Sequence, residues 1–422
     1  MIKKKIKKNL HFDSRVIHDA LEPDKWHGST LPPIFQSAST LHRTAESLSD
    51  TFAGKKKDHI YMRLTNPTNS VFEDKITALE NGKGAVAMSS GMAAITNTCM
   101  ALLRSKDEFL CGNFLFMSTY LLFTGVFKKY NLNAKIVDMQ NIQEIEDSIT
   151  DKTRFIYIET IGNPKMDIPD IKKIARIAQI NKLPLIVDNT LASPYLVCPI
   201  DLGADIVIHS TTKYLSGHGA ATGGIVVDAG HFQWEGNERF PDFIPFIERK
   251  GELALLDKIW REHHINFGTT QAPFHSYLAM IGMDTLGLRM ERHMANAIKV
   301  ADYLKSQQKV KWVNFPGLPD HDNHEIAKRV FDNKGFGAMI GFGLKNQEQC
   351  FTLIDNLNMI YHLANLGDCK TLIIHPWSSQ YVSFDPEVKT ALCITPDLIR
   401  LSVGIEDPDD IINDIDQALE KI

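Results

Sequence analysis

The chain has 422 residues, of which 44% are hydrophobic and 23% charged, the proportions of a folded globular protein of two or three domains. Its net charge of −5 argues against nucleic acid as the main partner, because nucleic-acid-binding surfaces are basic. The sequence contains no run of about 18 apolar residues, so it predicts no transmembrane helix and no membrane partner.

The six cysteines stand at positions 99, 111, 198, 350, 369 and 393, without a CxxC pair and mostly among apolar residues. This distribution predicts reduced thiols, and neither a disulfide framework nor a zinc site. The basic start at 1–8 lacks the apolar core of a signal peptide. We therefore expect a cytoplasmic protein with a solvated start, and a membrane-binding amphipathic start is the alternative.

The first 60 residues differ from the rest of the chain in composition. They are rich in Ser, Thr, Pro and Gly and contain few long periodic runs. Such a stretch predicts an extended N-terminal arm, 1–60, and not an independently packed domain.

From residue 61 to residue 265, short apolar runs alternate with helical patterns. Residues 155–158 predict a strand, residues 168–179 a helix and residues 185–187 the next strand. This alternation predicts an α/β fold with βαβ units, in which a mostly parallel central sheet has helices on both faces.

The remaining residues, 266–422, predict a smaller α/β C-terminal domain. A strongly helical stretch at 286–307 leads into it. Residues 337–342 predict a strand, and residues 409–419 predict a closing helix.

Two neighbouring predicted strands end in residues that suit a pyridoxal 5'-phosphate (PLP) site. The run that ends at Val187 is followed by Asp188, and the run 206–208 is followed by a hydroxyl-rich turn and Lys213. Open α/β sheets bind ligands at the carboxyl ends of their strands. A lysine there holds the PLP aldehyde as a Schiff base, and an aspartate keeps the pyridine nitrogen protonated. A turn aspartate and a surface lysine are the alternatives.

A strand-to-helix turn suits the phosphate of that cofactor. Ser90, Gly91 and Met92 follow the apolar run 85–87 and precede a helical pattern that extends to about residue 103. Small residues at such a turn leave backbone N–H groups free at a helix N-terminus, which binds phosphate.

Four further side chains suit the same phosphate. Ser210 and Thr212 offer hydroxyl donors beside Lys213. Tyr61 and Arg63 are two residues apart, so in an extended segment they share one face.

With these motifs the chain resembles the Cys/Met-metabolism family of fold-type-I PLP enzymes. The matching signatures occur in family order across almost the whole chain: Tyr61-x-Arg63-x-x-Asn66-Pro67-Thr68, Ser89-Ser90-Gly91-Met92, Glu159-x-x-x-Asn163-Pro164, Val187-Asp188-Asn189-Thr190, Ser210-Thr211-Thr212-Lys213-Tyr214 and 398–406. The resemblance implies a PLP-binding domain at 61–265. It also implies an arm that contacts a neighbouring subunit, and a homo-oligomer built as a dimer of dimers.

The resemblance also implies a role for each site residue. Lys213 is the catalytic residue, and the substrate-binding pair is Asn365 and Arg400. The cofactor-binding set is Tyr61, Arg63, Ser90, Gly91, Met92, Phe116, Asn163, Asp188, Ser210, Thr212 and Lys213.

For some of these residues the side-chain chemistry suggests a specific contact, and for others a second role remains open. Asn163 suits the ring oxygen of the cofactor, and Glu159 is either structural or directly involved. The guanidinium of Arg400 matches a substrate carboxylate with two parallel hydrogen bonds, and a core ion pair with Glu406 is the alternative. The family's counterparts of Tyr61 and Arg63 serve the phosphate of the adjacent subunit, so a monomer is expected to have an incomplete site.

Within the family the chain most resembles the O-acetylhomoserine sulfhydrylase branch. The similar stretches are 364–368, 374–376, 396–400 and an insertion at 231–243. This implies γ-replacement on O-acetyl-L-homoserine by a sulfur nucleophile, which yields homocysteine or methionine and acetate. Sulfide, methanethiol, cysteine and a protein-borne sulfur remain open as donors.

The chain departs from the family at two places. Phe116 stands where the family generally has a tyrosine stacked on the cofactor ring, and it keeps the stacking area but lacks the hydroxyl. Acetate is a stable anion that leaves with little acid help, so Phe116 favours an acylated substrate. Trp377 and Tyr381 replace alanine and histidine in a loop toward the substrate, where they either reshape the pocket or fill space.

Two other functions compete with γ-replacement. The first is an elimination enzyme, such as a methionine γ-lyase or a cystathionine lyase, or a replacement enzyme of the cystathionine γ-synthase type. Each of these would share every cofactor residue. A non-enzymatic scaffold is the second, and the intact Lys213, Asp188 and Arg400 argue against it.

Overall fold

A computed structural model describes residues 10–56 and 58–422, so the basic start at 1–8 lies outside the described residues. The arm that the composition predicts as extended contains short helices at Phe12–His18 and Ala45–Phe52 and a 3₁₀ turn at Pro23–Trp26. The second helix forms because the Thr44 side chain caps it, accepting a hydrogen bond from the Ser47 backbone N–H.

The α-helices are spread along the whole described chain. In chain order they are α1 (Phe12–His18), α2 (Ala45–Phe52), α3 (Pro67–Leu79), α4 (Gly91–Leu102), α5 (Met117–Leu121), α6 (Ile142–Ser148), α7 (Ile171–Ile180), α8 (Ser193–Leu196), α9 (Ile244–Lys250), α10 (Ala254–Lys258), α11 (Ile265–Phe267), α12 (Pro273–Met283), α13 (Leu286–Ser306), α14 (His324–Val330), α15 (Gln347–Asp355), α16 (Pro386–Ala391) and α17 (Pro408–Leu419). None of these helices combines the length and the hydropathy needed to cross a bilayer.

The strands of the described part of the chain form two sheets. In chain order they are β1 (Gly84–Met88), β2 (Glu108–Gly112), β3 (Asn133–Val137), β4 (Thr153–Glu159), β5 (Leu185–Asp188), β6 (Ile206–Ser210), β7 (Gly224–Asp228), β8 (Trp312–Asn314), β9 (Met339–Gly343), β10 (Tyr361–His362), β11 (Leu372–Ile374) and β12 (Leu398–Ser402).

The larger sheet has seven strands in the order β1-β7-β6-β5-β4-β2-β3. Only β7 is antiparallel, to both β1 and β6, so the prediction of a mostly parallel α/β sheet is confirmed. Alternate side chains of each strand pack into hydrophobic cores on opposite faces of the sheet. In β5, for example, Val187 packs on one face and Ile186 on the other, and both are fully buried. Each such side chain stabilises the fold by about 1.5–3 kcal/mol.

The smaller sheet has five strands in the order β10-β11-β12-β9-β8. Its pairs are antiparallel except β10 with β11. The predicted strand at 337–342 corresponds to β9, and the predicted helix at 409–419 corresponds to α17. At the centre of this sheet, β12 carries Arg400 in register with Gly341 of β9 and Ile374 of β11.

Candidate active site

The carboxyl ends of β4, β5 and β6 bring the predicted cofactor residues together. β4 and β5 pair in parallel with Glu159 opposite Asp188, and Asp188 lies opposite Ile208 of β6. The chain then turns after β6, where the Lys213 backbone N–H donates to the Ser210 carbonyl at 3.2 Å. Two carboxyl groups and one amine thus lie at one edge of the sheet, where α/β folds bind ligands.

Both oxygens of the Asp188 carboxyl group are held in place. Oδ1 accepts from the Thr190 backbone N–H at 3.0 Å, and Oδ2 accepts from the Tyr157 hydroxyl at 3.2 Å. Burial raises the pKa of Asp188, and the Thr190 hydrogen bonds oppose that rise. The sequence analysis did not identify Tyr157. The signal was its position two residues before Glu159, which places both side chains on one face of β4.

Lys213 is the amine of the site. Its Nζ donates to Oδ1 of Asn365 at 2.7 Å, so a residue 152 positions away fixes its direction. Burial, together with the positive charge of Arg400, lowers the pKa of Lys213 to about 8. A lysine with this pKa is a far better nucleophile near neutral pH than an exposed one.

This pKa predicts how cofactor uptake depends on pH. Only the neutral amine attacks an aldehyde, so the rate at which the apoenzyme captures PLP is expected to rise with pH and to level off above about pH 8. An ordinary lysine, whose pKa is about 10.4, would give a rate that still rises at pH 10. Stopped-flow absorbance across pH 6.5 to 10 distinguishes these outcomes, and a continued rise contradicts the lowered pKa of Lys213.

Arg400 is a buried cation without an acidic partner among the described residues. Its Nη1 donates to Oε1 of Gln380 at 3.2 Å and to Oδ1 of Asn163 at 3.5 Å, and its Nη2 donates to the Asn365 carbonyl at 3.1 Å. Its Nε is buried and has no partner in the described chain. Burial lowers the pKa of Arg400 to about 10, which leaves it protonated at neutral pH. A buried unpaired charge is costly, so this site favours an anionic ligand.

The alternative of a core ion pair with Glu406 is not what the structure has. The Glu406 carboxylate accepts instead from the Thr371 backbone N–H at 2.6 Å and from the Thr371 hydroxyl at 2.8 Å. Asn365 meanwhile contacts both Lys213 and Arg400, and it joins the amine to the guanidinium.

The predicted phosphate turn lies against the end of β6. Ser90 caps α4 by accepting from the Ala93 backbone N–H at 3.1 Å. A Cβ atom at Gly91 would lie 2.7 Å from Cβ of Ser210, so only glycine allows the start of α4 to approach β6 this closely. The first N–H groups of α4, including that of Met92, have no intrahelical acceptor and suit a phosphate. The Thr212 hydroxyl accepts from the Gly223 backbone N–H at 3.0 Å.

The structure does not bring Tyr61 and Arg63 to this group. Both side chains are exposed, and the Arg63 guanidinium carbon lies 5.4 Å from the centroid of the Tyr61 ring. Arg63 Nη1 donates to the Ile265 carbonyl at 2.8 Å. Within the described chain, none of their hydrogen bonds or ring contacts reaches Ser90, Ser210 or Lys213.

Phe116 is anchored next to the paired carboxyl groups. Its backbone N–H donates to Oε1 of Glu159 at 2.6 Å, immediately before α5 begins. Burial and the nearby Asp188 carboxyl raise the pKa of Glu159 well above its usual range. Glu159 therefore positions the Phe116 turn beside Asp188.

Gln380 also belongs to the site, and the sequence analysis missed it. In the loop 375–381 the sequence predicted a role only for Trp377 and Tyr381. No local pattern indicates that Gln380 contacts Arg400. In the structure Trp377 packs beside the hydrophobic cluster of Tyr381 and Phe384.

The profile of the family described as Cys/Met metabolism PLP-dependent enzyme matches residues 13–420. The chain belongs to this family. It is therefore a PLP-dependent enzyme, and the predicted resemblance and cofactor are confirmed.

Relatives in this family carry several activities. The chain is 39% identical to the homocysteine/cysteine synthase of Saccharomyces cerevisiae over 436 residues, which cover 98% of each protein. It is also 39% identical to the L-methionine gamma-lyase of Fusobacterium nucleatum subsp. polymorphum over 398 residues, which cover 94% of this chain and 95% of that protein.

A solved structure has the same fold. A candidate O-acetylhomoserine (thiol)-lyase from Campylobacter jejuni superposes with a TM-score of 0.92 at 31% identity, which covers 97% of this chain and 99% of that chain. That structure contains N'-pyridoxyl-lysine-5'-monophosphate at its position 205.

The residues of this Cys/Met-metabolism enzyme fit PLP. Gly91 lets the N-terminus of α4 pack directly against Ser210, and Lys213 is an amine of lowered pKa just after β6. Asp188 presents a carboxyl group that is already fixed at both oxygens. Together they offer a phosphate site, an aldehyde-binding amine and a pyridine-nitrogen partner at one sheet edge.

Proposed function

We propose that the chain catalyses γ-replacement on O-acetyl-L-homoserine with a sulfur nucleophile, giving homocysteine or methionine and acetate. The observation that carries the proposal is the buried Arg400, which has no acidic partner among the described residues and which Asn365 joins to Lys213. This arrangement suits a ligand with an α-carboxylate and an α-amine. Similarity to a homocysteine/cysteine synthase and to a candidate O-acetylhomoserine (thiol)-lyase supports the choice of substrate.

When bound, PLP supplies the electron sink that this chemistry requires. Arg400 holds the substrate carboxylate, and Asn163 and Asn365 surround its guanidinium. The Lys213 amine, with its pKa of about 8, takes the Cα proton and moves protons at Cβ. The bond between Cγ and the ester oxygen breaks, the acetoxy group leaves as acetate, and the sulfur nucleophile bonds to Cγ.

We propose the site as the family resemblance assigns it, with Tyr157 and Gln380 added. Lys213 is the catalytic residue, and Asn365 and Arg400 bind substrate. Tyr157 is a positioning residue that orients Asp188. The domain limits 61–265 and 266–422 belong to the same proposal.

We further propose a cytoplasmic dimer of dimers in which the arm, 1–60, contacts a neighbouring subunit. Two observations support this assembly: Tyr61 and Arg63 lie away from their own chain's site, and the arm exposes large apolar side chains. The exposed fraction is 91% for Leu41 and 66% for Phe52. Such side chains are typical of surfaces that are covered in an oligomer. Analytical ultracentrifugation is expected to give a tetramer.

A substrate panel tests the reaction. The holoenzyme is expected to form homocysteine from O-acetyl-L-homoserine and sulfide much faster than from the succinyl or phosphoryl esters. The competing function is elimination, which the 39% identity to an L-methionine gamma-lyase supports. Release of 2-oxobutanoate from methionine in excess of homocysteine formation would favour elimination and overturn the proposal.

Restoring a tyrosine at position 116 tests the role of the leaving group. Phe116→Tyr adds a hydroxyl to the ring of a residue whose backbone N–H donates to Glu159. Acid help is worth roughly 10²–10⁴-fold where the group is well placed, and it matters least when the leaving anion is stable. We expect elimination from methionine to rise more than turnover of O-acetylhomoserine. Equal responses in the two kcat/KM values would show that Phe116 is only a stacking platform.

A further inference from the structure

Gln380 faces Arg400 from the loop 375–382, and the family resemblance assigns no role to Gln380. Oε1 of Gln380 accepts from Arg400 Nη1 at 3.2 Å, and Asn163 accepts from the same nitrogen at 3.5 Å. The Asn365 carbonyl takes one hydrogen of Nη2. Three neutral acceptors therefore surround the guanidinium, and its Nε and the second Nη2 hydrogen form the edge that remains.

The loop that carries Gln380 is held from both sides. Lys389, only 6% exposed, donates to the Trp377 carbonyl at 3.3 Å and to the Val382 carbonyl at 3.4 Å. Its ammonium group lies 4.4 Å from the centroid of the Trp377 ring, a cation–π contact. These contacts bracket Gln380, and a bond from the Tyr381 backbone N–H to the Pro376 carbonyl at 3.0 Å closes the turn.

The charge of the residue at position 380 decides what Arg400 can bind. A carboxylate at the place of Gln380 would neutralise the guanidinium from within the protein. A glutamine amide orients Nη1 without cancelling its charge, because it is a neutral acceptor. In the described chain the amide nitrogen of Gln380 has no hydrogen-bond partner, so its two donors remain for a ligand oxygen.

We propose that Gln380 is the specificity-determining residue for the substrate carboxylate. Its hydrogen bond fixes Nη1 of Arg400, so that the Nε and Nη2 edge faces the substrate carboxylate. Because Gln380 is neutral, the positive charge of Arg400 remains available to that carboxylate. This inference rests on the carboxylate role proposed above for Arg400. In this proposal the loop 375–382 positions Gln380 against Arg400, and the contact between Trp377 and Lys389 stabilises that loop.

The test compares two ligands that differ only in the carboxylate, L-2-aminobutanoate and 1-aminopropane. Neither has a leaving group, so each is titrated against the holoenzyme through the absorbance of the bound cofactor. In the wild type the amino acid is expected to bind much more tightly than the amine. In Gln380→Glu an ion pair with Arg400 replaces that ligand contact, and we expect the dissociation constant of the amino acid to rise about 100-fold. The amine is expected to change less than about threefold, because it makes no contact with Arg400.

Two further variants complete the experiment. Gln380→Met removes the acceptor without adding charge, and we expect a rise of about tenfold for the amino acid alone. Gln308→Glu makes the same charge change at an exposed position outside the site, and it is expected to alter neither ligand. The cofactor absorbance of each variant reports whether the site has folded.

Each possible outcome decides the inference. Equal weakening of both ligands in Gln380→Glu would show a structural role, and unchanged binding of the amino acid would show no role at all, so either overturns it. A wild type without preference for the carboxylate contradicts Arg400 as the clamp and the inference with it. Failure of the proposed reaction is recognised separately, as absence of homocysteine formation in a holoenzyme that keeps the ligand preference.

Discussion

Replacing Lys213 with alanine is expected to lower turnover by about 10³-fold or more and to prevent borohydride from fixing the cofactor to the chain. Lys213 is the amine at the edge of the sheet whose direction Asn365 fixes and whose pKa is lowered to about 8. Its removal eliminates both the covalent anchor and the proton carrier, and acid–base catalysis alone is worth roughly 10²–10⁴-fold. Mass spectrometry of the peptide that contains residue 213, after reduction, measures the first effect, and steady-state kinetics measure the second.

The matched control is Lys129→Ala, which removes an exposed lysine of the 3₁₀ turn Phe127–Tyr130 that is not among the candidate site residues. This variant is expected to keep both the borohydride-fixed peptide and the wild-type kcat. If Lys213→Ala still fixes the cofactor covalently at another lysine, the assignment of the anchor is wrong.

Replacing Arg400 with lysine is expected to reduce kcat/KM by about 10²–10⁴-fold while the cofactor absorbance stays intact. Each charge-assisted hydrogen bond to a carboxylate is worth roughly 1.5–3 kcal/mol, and two of them are lost when a point charge replaces the planar fork. The new ammonium group would also lie among the neutral oxygens of Gln380, Asn163 and Asn365, which occupy its donors. Most of the effect is expected in KM, because the carboxylate contact is made on binding.

Arg289 provides the structural comparison. It is also buried, but it donates to the backbone carbonyls of Tyr214, Leu215 and Gly282. Arg289→Lys is therefore expected to lower the thermal midpoint without a selective change in KM. If Arg400→Lys instead loses the cofactor in parallel with its activity, Arg400 serves the fold more than the substrate.

Local sequence features were sufficient to predict the parallel sheet and the cofactor edge. An apolar run that ends in a polar residue marks both β5 with Asp188 and β6 with the turn to Lys213. These strands are buried on both faces, so their hydrophobic runs are continuous and stand out in the sequence. The start of α4 was equally visible, because a turn of small residues between a strand and a helix is a local pattern.

Contacts between distant segments could not be predicted in this way. The hydroxyl of Tyr157 meets Asp188 only because β4 and β5 pair in a register that sets Glu159 opposite Asp188. The shared face of Tyr157 and Glu159 on β4 is visible in the local sequence, but the register with β5 is not, so the contact with Asp188 could not be predicted. The roles of Tyr61 and Arg63 likewise stay predictions, since they depend on a second subunit.

The sequence by itself determined the fold class, the family and the cofactor, because each depends on short motifs with a local physical meaning. Only the tertiary structure decided how the substrate end is built. Among the described residues it left Arg400 without an acidic partner, paired Glu406 with Thr371, and placed Asn365 between Lys213 and Arg400. It also brought Gln380 to Arg400 from 20 residues away. The reason is that these contacts join a loop, the smaller and mostly antiparallel sheet and the larger and mostly parallel sheet, and packing sets their relative positions.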